Sequence, residues 1–358
     1  YVAAMSRRLV LLCLLWPAIA ATEPAANNDA EASGFDFWIG AWRVNLRVRD
    51  DDLAWQDRVT ADARVWPILD GRALLELWDS EPIKGFSLRW YDHEAGAWRL
   101  WLNWPAEGRS AGSGLAGGFR HGRGEFFAES TTGDGKTLTT RYTFSDIAPD
   151  RLRWDDAYSR DGGESWTPNW IMEFTRVADE ALAPDGAVNA HTYVDGSRCG
   201  GAGFRRLDAF AGRWEGSAQD VLFDGRTTSG PASVSVHRIL DGCALMAFVH
   251  VPEAAAAARE FRLLTWNTLA GAFEENLLDN EAGSPFRVRF GPDDGGGLLL
   301  SNADAGHRGR WQAGPGDTLR LQDFRVASAG GSLARRQLEL RRVADDSEAP
   351  SAAANSEP

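Results

Sequence analysis

The feature that most constrains this chain is an internal repeat. Phe35 to Trp42, FDFWIGAW, is matched by Leu207 to Trp214, LDAFAGRW, 172 residues later. Ile68-Leu69-Asp70-Gly71 returns as Ile239-Leu240-Asp241-Gly242 at an offset of 171, and WYDHEAGAW (Trp90 to Trp98) as TWNTLAGAF (Thr265 to Phe273) at 175. EFTRV (Glu173 to Val177) returns as ELRRV (Glu339 to Val343) at 166. Four matches that keep their order while the offset drifts by a few residues indicate a duplicated unit. The 358 residues then divide into two domains of ordinary size, 35–177 and 207–343, joined by a Gly/Asp-rich linker at 178–206.

Each unit reads as β structure. After Trp42, the residues Val44, Leu46 and Val48 share one face of a strand while Arg43, Asn45, Arg47 and Arg49 share the other. The same alternation sets Phe86, Leu88 and Trp90, and then Trp98, Leu100, Leu102 and Trp104, on faces expected to be buried. Apolar runs recur with Gly, Asp or Asn between them, the pattern of an antiparallel sandwich or barrel. Helical periodicity is nearly absent, the Ala-rich run from Ala254 to Ala258 being the one candidate. The predicted fold class is all-β: two tandem antiparallel barrels of eight to ten strands, a size that either fills with side chains or holds one small ligand.

Each copy opens with Gly-x-Trp, at Gly40-Ala41-Trp42 and Gly212-Arg213-Trp214, and ends with an Arg on its last strand, Arg176 and Arg342. This pairing resembles the lipocalin (calycin) superfamily. The resemblance implies that Trp42 and Trp214 pack under their barrels with Arg176 and Arg342 laid across them, a structural closure of first strand on last. The longer pattern FDFWIGAW, ILDGRALLELW, FSLRWYDHEAGAW and SRDGGESW is also similar to a bacterial family of uncharacterised calycin-type proteins. The second copy departs from it, with Phe210 and Phe273 in place of Trp38 and Trp98 and no counterpart of SRDGGESW. That family brings no activity with it.

The ends of the chain carry a compartment signal. Arg7 and Arg8 precede an apolar stretch, Leu9 to Trp16, and then Pro17-Ala18-Ile19-Ala20, the pattern of a secretory signal peptide cut after Ala20. Met5 then reads as the true start, and the stretch is too short to span a bilayer. The segments 21–34 and 344–358 are polar, small and unpatterned, as a linker and a disordered tail should be. The expected location is periplasmic or secreted. A lipid anchor at Cys13 is disfavoured by Leu11-Leu12, which stand where small residues belong. With Cys13 removed, Cys199 and Cys243 remain, and in an oxidising compartment they either form a disulfide or stay as two buried thiols. The net charge of −13 becomes −15 once Arg7 and Arg8 leave, so nucleic acid and anionic membrane surfaces are poor partners.

Tryptophan is the compositional anomaly: twelve of the sixteen fall in the first repeat and three in the second. Barrel closure does not account for so many. Either they are core and outer-surface packing, or they line a pocket in the first barrel, for which Trp78, Trp90, Trp98, Trp104 and Trp154 are the candidate ligand-binding side chains. Ser159 to Trp166 fits the Asp-box pattern, which in sialidases and other propellers is a hairpin turn remote from catalysis. His250 shares a face with Ala244, Met246 and Phe248 and could reach a barrel interior, but no second His stands at ligand spacing, so neither haem nor metal is expected there. Asp155-Asp156 and Glu274-Glu275 are neighbours that must point to opposite strand faces and are expected to be solvated. Glu76 lies between Leu74 and Trp78, where it could act as an acid, although an edge or surface position is the more ordinary one. No nucleophile elbow, phosphate loop or dinucleotide fingerprint occurs in a suitable context.

The expected function is therefore that of an exported carrier or binder of a small apolar or aromatic molecule in the first barrel. Two alternatives remain: a calycin-type isomerase or hydrolase using an interior acid, and a pair of filled barrels acting through their surfaces in a cell-envelope assembly.

Overall fold

The computed structural model describes residues 32–49, 54–80, 84–110, 114–178, 199–222, 224–252, 258–280, 286–295, 297–302, 306–326 and 332–343. The expected signal peptide, most of the expected first linker and the expected tail lie outside these residues, as does the Ala-rich candidate helix except for Ala258, which opens a strand.

The first repeat forms β1 (Gly40–Arg49), β2 (Trp55–Ile68), β3 (Ala73–Asp79), β4 (Lys84–Asp92), β5 (Ala97–Trp104), β6 (Arg109–Ser110), β7 (Leu115–Arg120), β8 (Arg123–Thr131), β9 (Thr137–Ala148), β10 (Arg151–Ser159) and β11 (Thr167–Ala178). Each long strand runs antiparallel to its neighbour, β1 pairs with β11, and the short β6 is a side pairing on β5. The result is a closed ring of ten. The second repeat forms β12 (Gly212–Val221), β13 (Thr227–Ile239), β14 (Ala244–Val251), β15 (Ala258–Asn267), β16 (Ala272–Asp279), β17 (Arg287–Gly291), β18 (Leu298–Ser301), β19 (His307–Gly314), β20 (Thr318–Val326) and β21 (Ser332–Val343), closed by β12 on β21. The structure is thus two closed ten-stranded antiparallel barrels in tandem.

Closure explains the shared motif. Trp42 pairs in register with Arg176 and Trp214 with Arg342, and in both barrels the guanidinium carbon lies 4.1 Å from the indole centroid. Gly40 and Gly212 have φ of +132° and +124°, and a Cβ at either would collide with the guanidinium. Glycine is needed there both for the backbone angle and for the space the Arg occupies. The indole of Trp42 donates to the Trp38 carbonyl at 2.8 Å and that of Trp214 to the Phe210 carbonyl at 2.9 Å, so each closing Trp also ties down the short turn that plugs its barrel end.

The two barrels pack wall to wall. Trp66, Leu75, Leu77 and Leu88 from the outside of β2 to β4 form one buried cluster with Ile239, Met246, Phe261, Leu263 and Leu278 from β13 to β16. Trp90 and Trp101 stand 4.8 and 5.0 Å from the ring of Phe286 in the second barrel. The repeated Ile-Leu-Asp-Gly turn serves this contact. Leu69 and Asp70, and likewise Leu240 and Asp241, adopt positive φ, an unfavourable conformation for side chains that both turns share. It presents Asp70 to Arg259 at 3.2 Å and Asp241 to Lys84 at 2.7 Å. Lys84 and Arg259 are themselves 175 residues apart, the offset of the surrounding repeat, so the two ion pairs are copies of each other across a pseudo-two-fold axis. Cys199 and Cys243 form a disulfide at the edge of the same cluster, with Cα atoms 5.0 Å apart. Within the expected linker, a short helix at Ala202–Arg206 precedes the second barrel.

Phe86 and Leu88 are buried as the alternation predicts, and what covers this face of β4 is the second barrel. Phe86, Leu88 and Trp90 belong to the outer wall, whereas Ser87, Arg89 and Tyr91 point inward. Both faces of the strand are buried, so apolarity alone could not say which one meets the lumen. The Asp-box segment forms the expected turn between β10 and β11. Asp161 accepts the Ser165 amide at 2.9 Å, Ser159 Oγ accepts the Gly163 amide at 2.8 Å, and Arg141 lies 4.2 Å from the Trp166 ring.

Candidate functional site

The lumen of the first barrel is closed at one end by an aromatic plug. Phe35, just ahead of β1, meets Trp98 at 4.9 Å, Phe119 at 4.8 Å, Phe144 at 5.2 Å and Phe126 at 5.3 Å, mostly edge to face. Trp38 lies beside them and forms a floor. Above it is a cavity of about 360 Å³, within the range of small-molecule sites. Its aromatic wall consists of Trp38, Trp78, Trp104, Trp154, Trp170 and Tyr142. Leu102 and Met172 add aliphatic surface.

Three sequence expectations meet here: Trp78 from β3, Trp104 at the end of β5 and Trp154 from β10 all line the cavity. Two do not. Trp90 lies on the outer wall against Phe286, because the second barrel covers that face of β4, and Trp98 is part of the plug, where it packs on Phe35 and Tyr91. Trp170, from β11, completes the wall.

The polar groups of the cavity were misplaced or missed from sequence. Glu76 is not at an edge: it is 6% exposed on the inner face of β3. Its Oε2 accepts from Ser87 Oγ at 2.6 Å and from Arg89 Nη2 at 3.0 Å, and Arg89 Nη1 donates to Ser87 Oγ at 2.7 Å. The Arg89 guanidinium is also stacked 3.6 Å over Trp38, which supports a fully buried cation on its floor side. Burial lowers the Arg89 pKa, an effect that its attraction to Glu76 opposes. The Glu76–Arg89 pair is thus neutral as a unit and fixed to the wall.

Asp156 is the second missed acid. Asp155 and Asp156 do face opposite ways, but the inner one is half-buried at the cavity wall rather than freely solvated. Asp156 lines the cavity, and its Oδ1 accepts the Trp170 amide at 2.9 Å. Desolvation pushes its carboxyl up to about 6, against hydrogen bonds from Trp170 and Asn169 that favour the charged form. Desolvation likewise raises the pKa of the neighbouring Tyr142 phenol, which stays neutral. The indole nitrogens of Trp38 and Trp78 are buried without a protein acceptor, so the wall also offers donors.

The second barrel is built differently. Arg262, from β15, is fully buried and bridges Glu260, Glu275 and Asp323; Arg289 joins Glu275 and Asp323, and Arg336 joins Asp220 and Glu260. Trp311 donates its indole to Glu275 at 2.8 Å. Burial alone would raise the Glu260 pKa, but Arg262 and Arg336 hold it down to about 2. Charged side chains occupy the lumen here. Glu274 and Glu275 again correct the solvated reading: Glu275 points into this lattice, while Glu274 points into the barrel–barrel interface and accepts from Asn103 at 2.7 Å, Asn267 at 2.8 Å and Asn276 at 3.0 Å. His250 lies on the outer face of β14, because Leu245, Ala247, Val249 and Val251 fill the inner one. It does not reach the lumen. Among the described residues, no group of three or more His, Cys, Asp or Glu could hold a metal ion, and no helix is long and apolar enough to cross a membrane.

No protein-family model and no curated protein matches the sequence. Among solved structures, the chain is similar to a protein of unknown function from the DUF3598 family of Nostoc punctiforme, at 12% identity and a TM-score of 0.27, covering 87% of this chain and 99% of that one. It is similar to an S-type phycobiliprotein lyase from Guillardia theta at 15% identity and a TM-score of 0.28, covering 41% of this chain and 92% of the other. A third is transferrin binding protein B of Haemophilus parasuis, at 9% identity and a TM-score of 0.19, covering 84% of this chain and 75% of that one. Likenesses this low carry nothing about ligand or activity.

Proposed function

We propose that the first barrel binds one small, largely apolar or aromatic molecule, and that the second barrel is a filled partner that braces it. The observation that carries this reading is the cavity of about 360 Å³ whose wall is mostly indole and phenol rings. The second lumen offers no equivalent because a lattice of ion pairs occupies it. Export belongs to the same proposal, supported by the signal-like start of the sequence and by the Cys199–Cys243 disulfide, which an oxidising compartment sustains.

Asp156 favours one second reading, an acid–base enzyme, since a carboxyl near neutrality at a cavity wall is suited to proton transfer. Binding ranks first because the other ionisable groups on that wall are engaged or neutral: Glu76 with Arg89, and Tyr142 protonated.

Titration with the neutral dye N-phenyl-1-naphthylamine, followed by energy transfer from tryptophan, tests the proposal. Saturable transfer that is lost in Met172→Trp, which fills the cavity, is the expected result. Absence of saturable binding to the intact protein would overturn it.

A further inference from the structure

The cavity wall carries an unbalanced charge. Glu76 and Arg89 cancel each other through a direct contact at 3.0 Å. Asp156 has no such partner: its bonds come from the Trp170 amide and the Asn169 side chain, and among the described residues no Arg, Lys or His pairs with it. Its nearest charged neighbour in sequence, Asp155, is another acid that works against its ionisation. A carboxylate held half-buried on a cavity wall without a cation is a costly arrangement for a protein to keep unless something else supplies the charge.

Around this acid stand the rings of Trp78, Trp104, Trp154, Trp170 and Tyr142. Ring faces carry a negative quadrupole and attract cations, best when the cation is large, weakly hydrated and enclosed. A carboxylate and several indoles facing one space of about 360 Å³ therefore attract the same kind of group. An anion would meet repulsion from Asp156, and a neutral molecule would leave the acid unmatched.

We infer that the molecule held in the first barrel is an organic cation, an amine or quaternary ammonium whose charge lies against Asp156 and whose body lies on the surrounding rings. This rests on the proposal that the cavity binds a ligand at all. It adds the ligand's charge and assigns Asp156 as the counter-ion, a role that the aromatic wall alone does not imply.

Displacement of N-phenyl-1-naphthylamine from the full chain distinguishes the possibilities, using benzyltrimethylammonium, its uncharged carbon isostere neopentylbenzene, and phenylacetate. The cation is expected to displace the dye at concentrations at least about tenfold lower than the isostere, with the anion weakest. Asp156→Asn should erase the difference between cation and isostere. A second readout needs no variant. Between about pH 7.5 and about pH 5 the cation should weaken and the isostere should not, because Asp156 takes up a proton over that range. Of the charged and titratable groups around it, Tyr142 on β9 stays protonated, Glu76 and Arg89 across the cavity are tied to each other at 3.0 Å, and Asp155 on β10 points to the opposite face. Equal displacement by cation and isostere, or preference for phenylacetate, would overturn the inference and leave the binding proposal standing. Failure of the dye itself to bind would overturn both.

Discussion

Lys84 at the start of β4 lies 2.7 Å from Asp241 in the ILDG turn of the other barrel, and Arg259, its counterpart in β15, reaches Asp70 in the same way. Each barrel therefore offers an acid from its turn and takes one at its fourth strand, as the two halves of an isologous dimer would. The duplication is a fused pair rather than two beads on a string. Asp70→Asn and Asp241→Asn should each lower stability by about 0.5–1 kcal/mol, since the pairs are only partly shielded from water. Guanidinium denaturation would measure this. No change in either variant would mean that the two turns do not hold the barrels together.

The cavity acid of the first barrel makes stability depend on pH in an unusual direction. Folding raises the Asp156 pKa from 3.8 to about 6, so the folded state holds this proton more tightly than the unfolded one. Its contribution is favourable below about pH 4 and is lost as the pH rises through 6, a swing of up to about 3 kcal/mol. Asp156→Asn should thus stabilise the ligand-free protein near pH 8 by about the same scale of energy, keep about half of that gain near pH 5, and approach wild-type behaviour only below about pH 4. Thermal melts of both proteins across that range check the sign. A constant difference would contradict it.

The second barrel should respond oppositely. Glu260 is held well below its ordinary 4.5, down to about 2, so its contribution is present above pH 4.5 and lost as the pH falls toward 2. Asp323 is depressed as well, with burial opposed by Arg262 and Arg289. Replacing Arg262 by Leu would remove the cation shared by Glu260, Glu275 and Asp323, leaving Arg336 for the first and Arg289 for the other two, and should cost about 3–5 kcal/mol, with the onset of acid unfolding moved to higher pH. Circular dichroism against pH reads both effects. A variant that unfolds at the wild-type pH would show that the lattice is not what keeps this lumen folded.

The disulfide joins residues 44 apart in sequence, linking the segment ahead of the second barrel to its ILDG turn. A loop of that length limits the unfolded chain by about 4 kcal/mol on the chain-entropy account. Cys199→Ala with Cys243→Ala should lower the denaturation midpoint accordingly, and thiol labelling of the denatured, unreduced wild type should find neither cysteine. Labelling of both would refute the bridge.

What could be read from sequence follows the physics. The closing pair was legible because Gly40, Trp42 and Arg176 interlock and recur as Gly212, Trp214 and Arg342. Trp78, Trp104 and Trp154 were legible as candidate wall residues because alternation places large rings on a shared face. Ser87 and Arg89 were not, since the second barrel buries the opposite face of β4 and leaves no hydrophobic contrast to orient the strand. Asp156 and Glu275 look like surface acids for a related reason: their partners, the Trp170 amide for the one and Arg262 and Arg289 for the other, come from neighbouring strands, which the alternation within a single strand does not reveal. Pairing through the ring, not local pattern, decides which acids are buried.

The central claim is one binding site in two barrels. Native mass spectrometry of the full chain with N-phenyl-1-naphthylamine measures it directly. One dye per chain for the wild type and none for Met172→Trp is the predicted result. Two dyes per chain, or one dye retained by the filled variant, would contradict it.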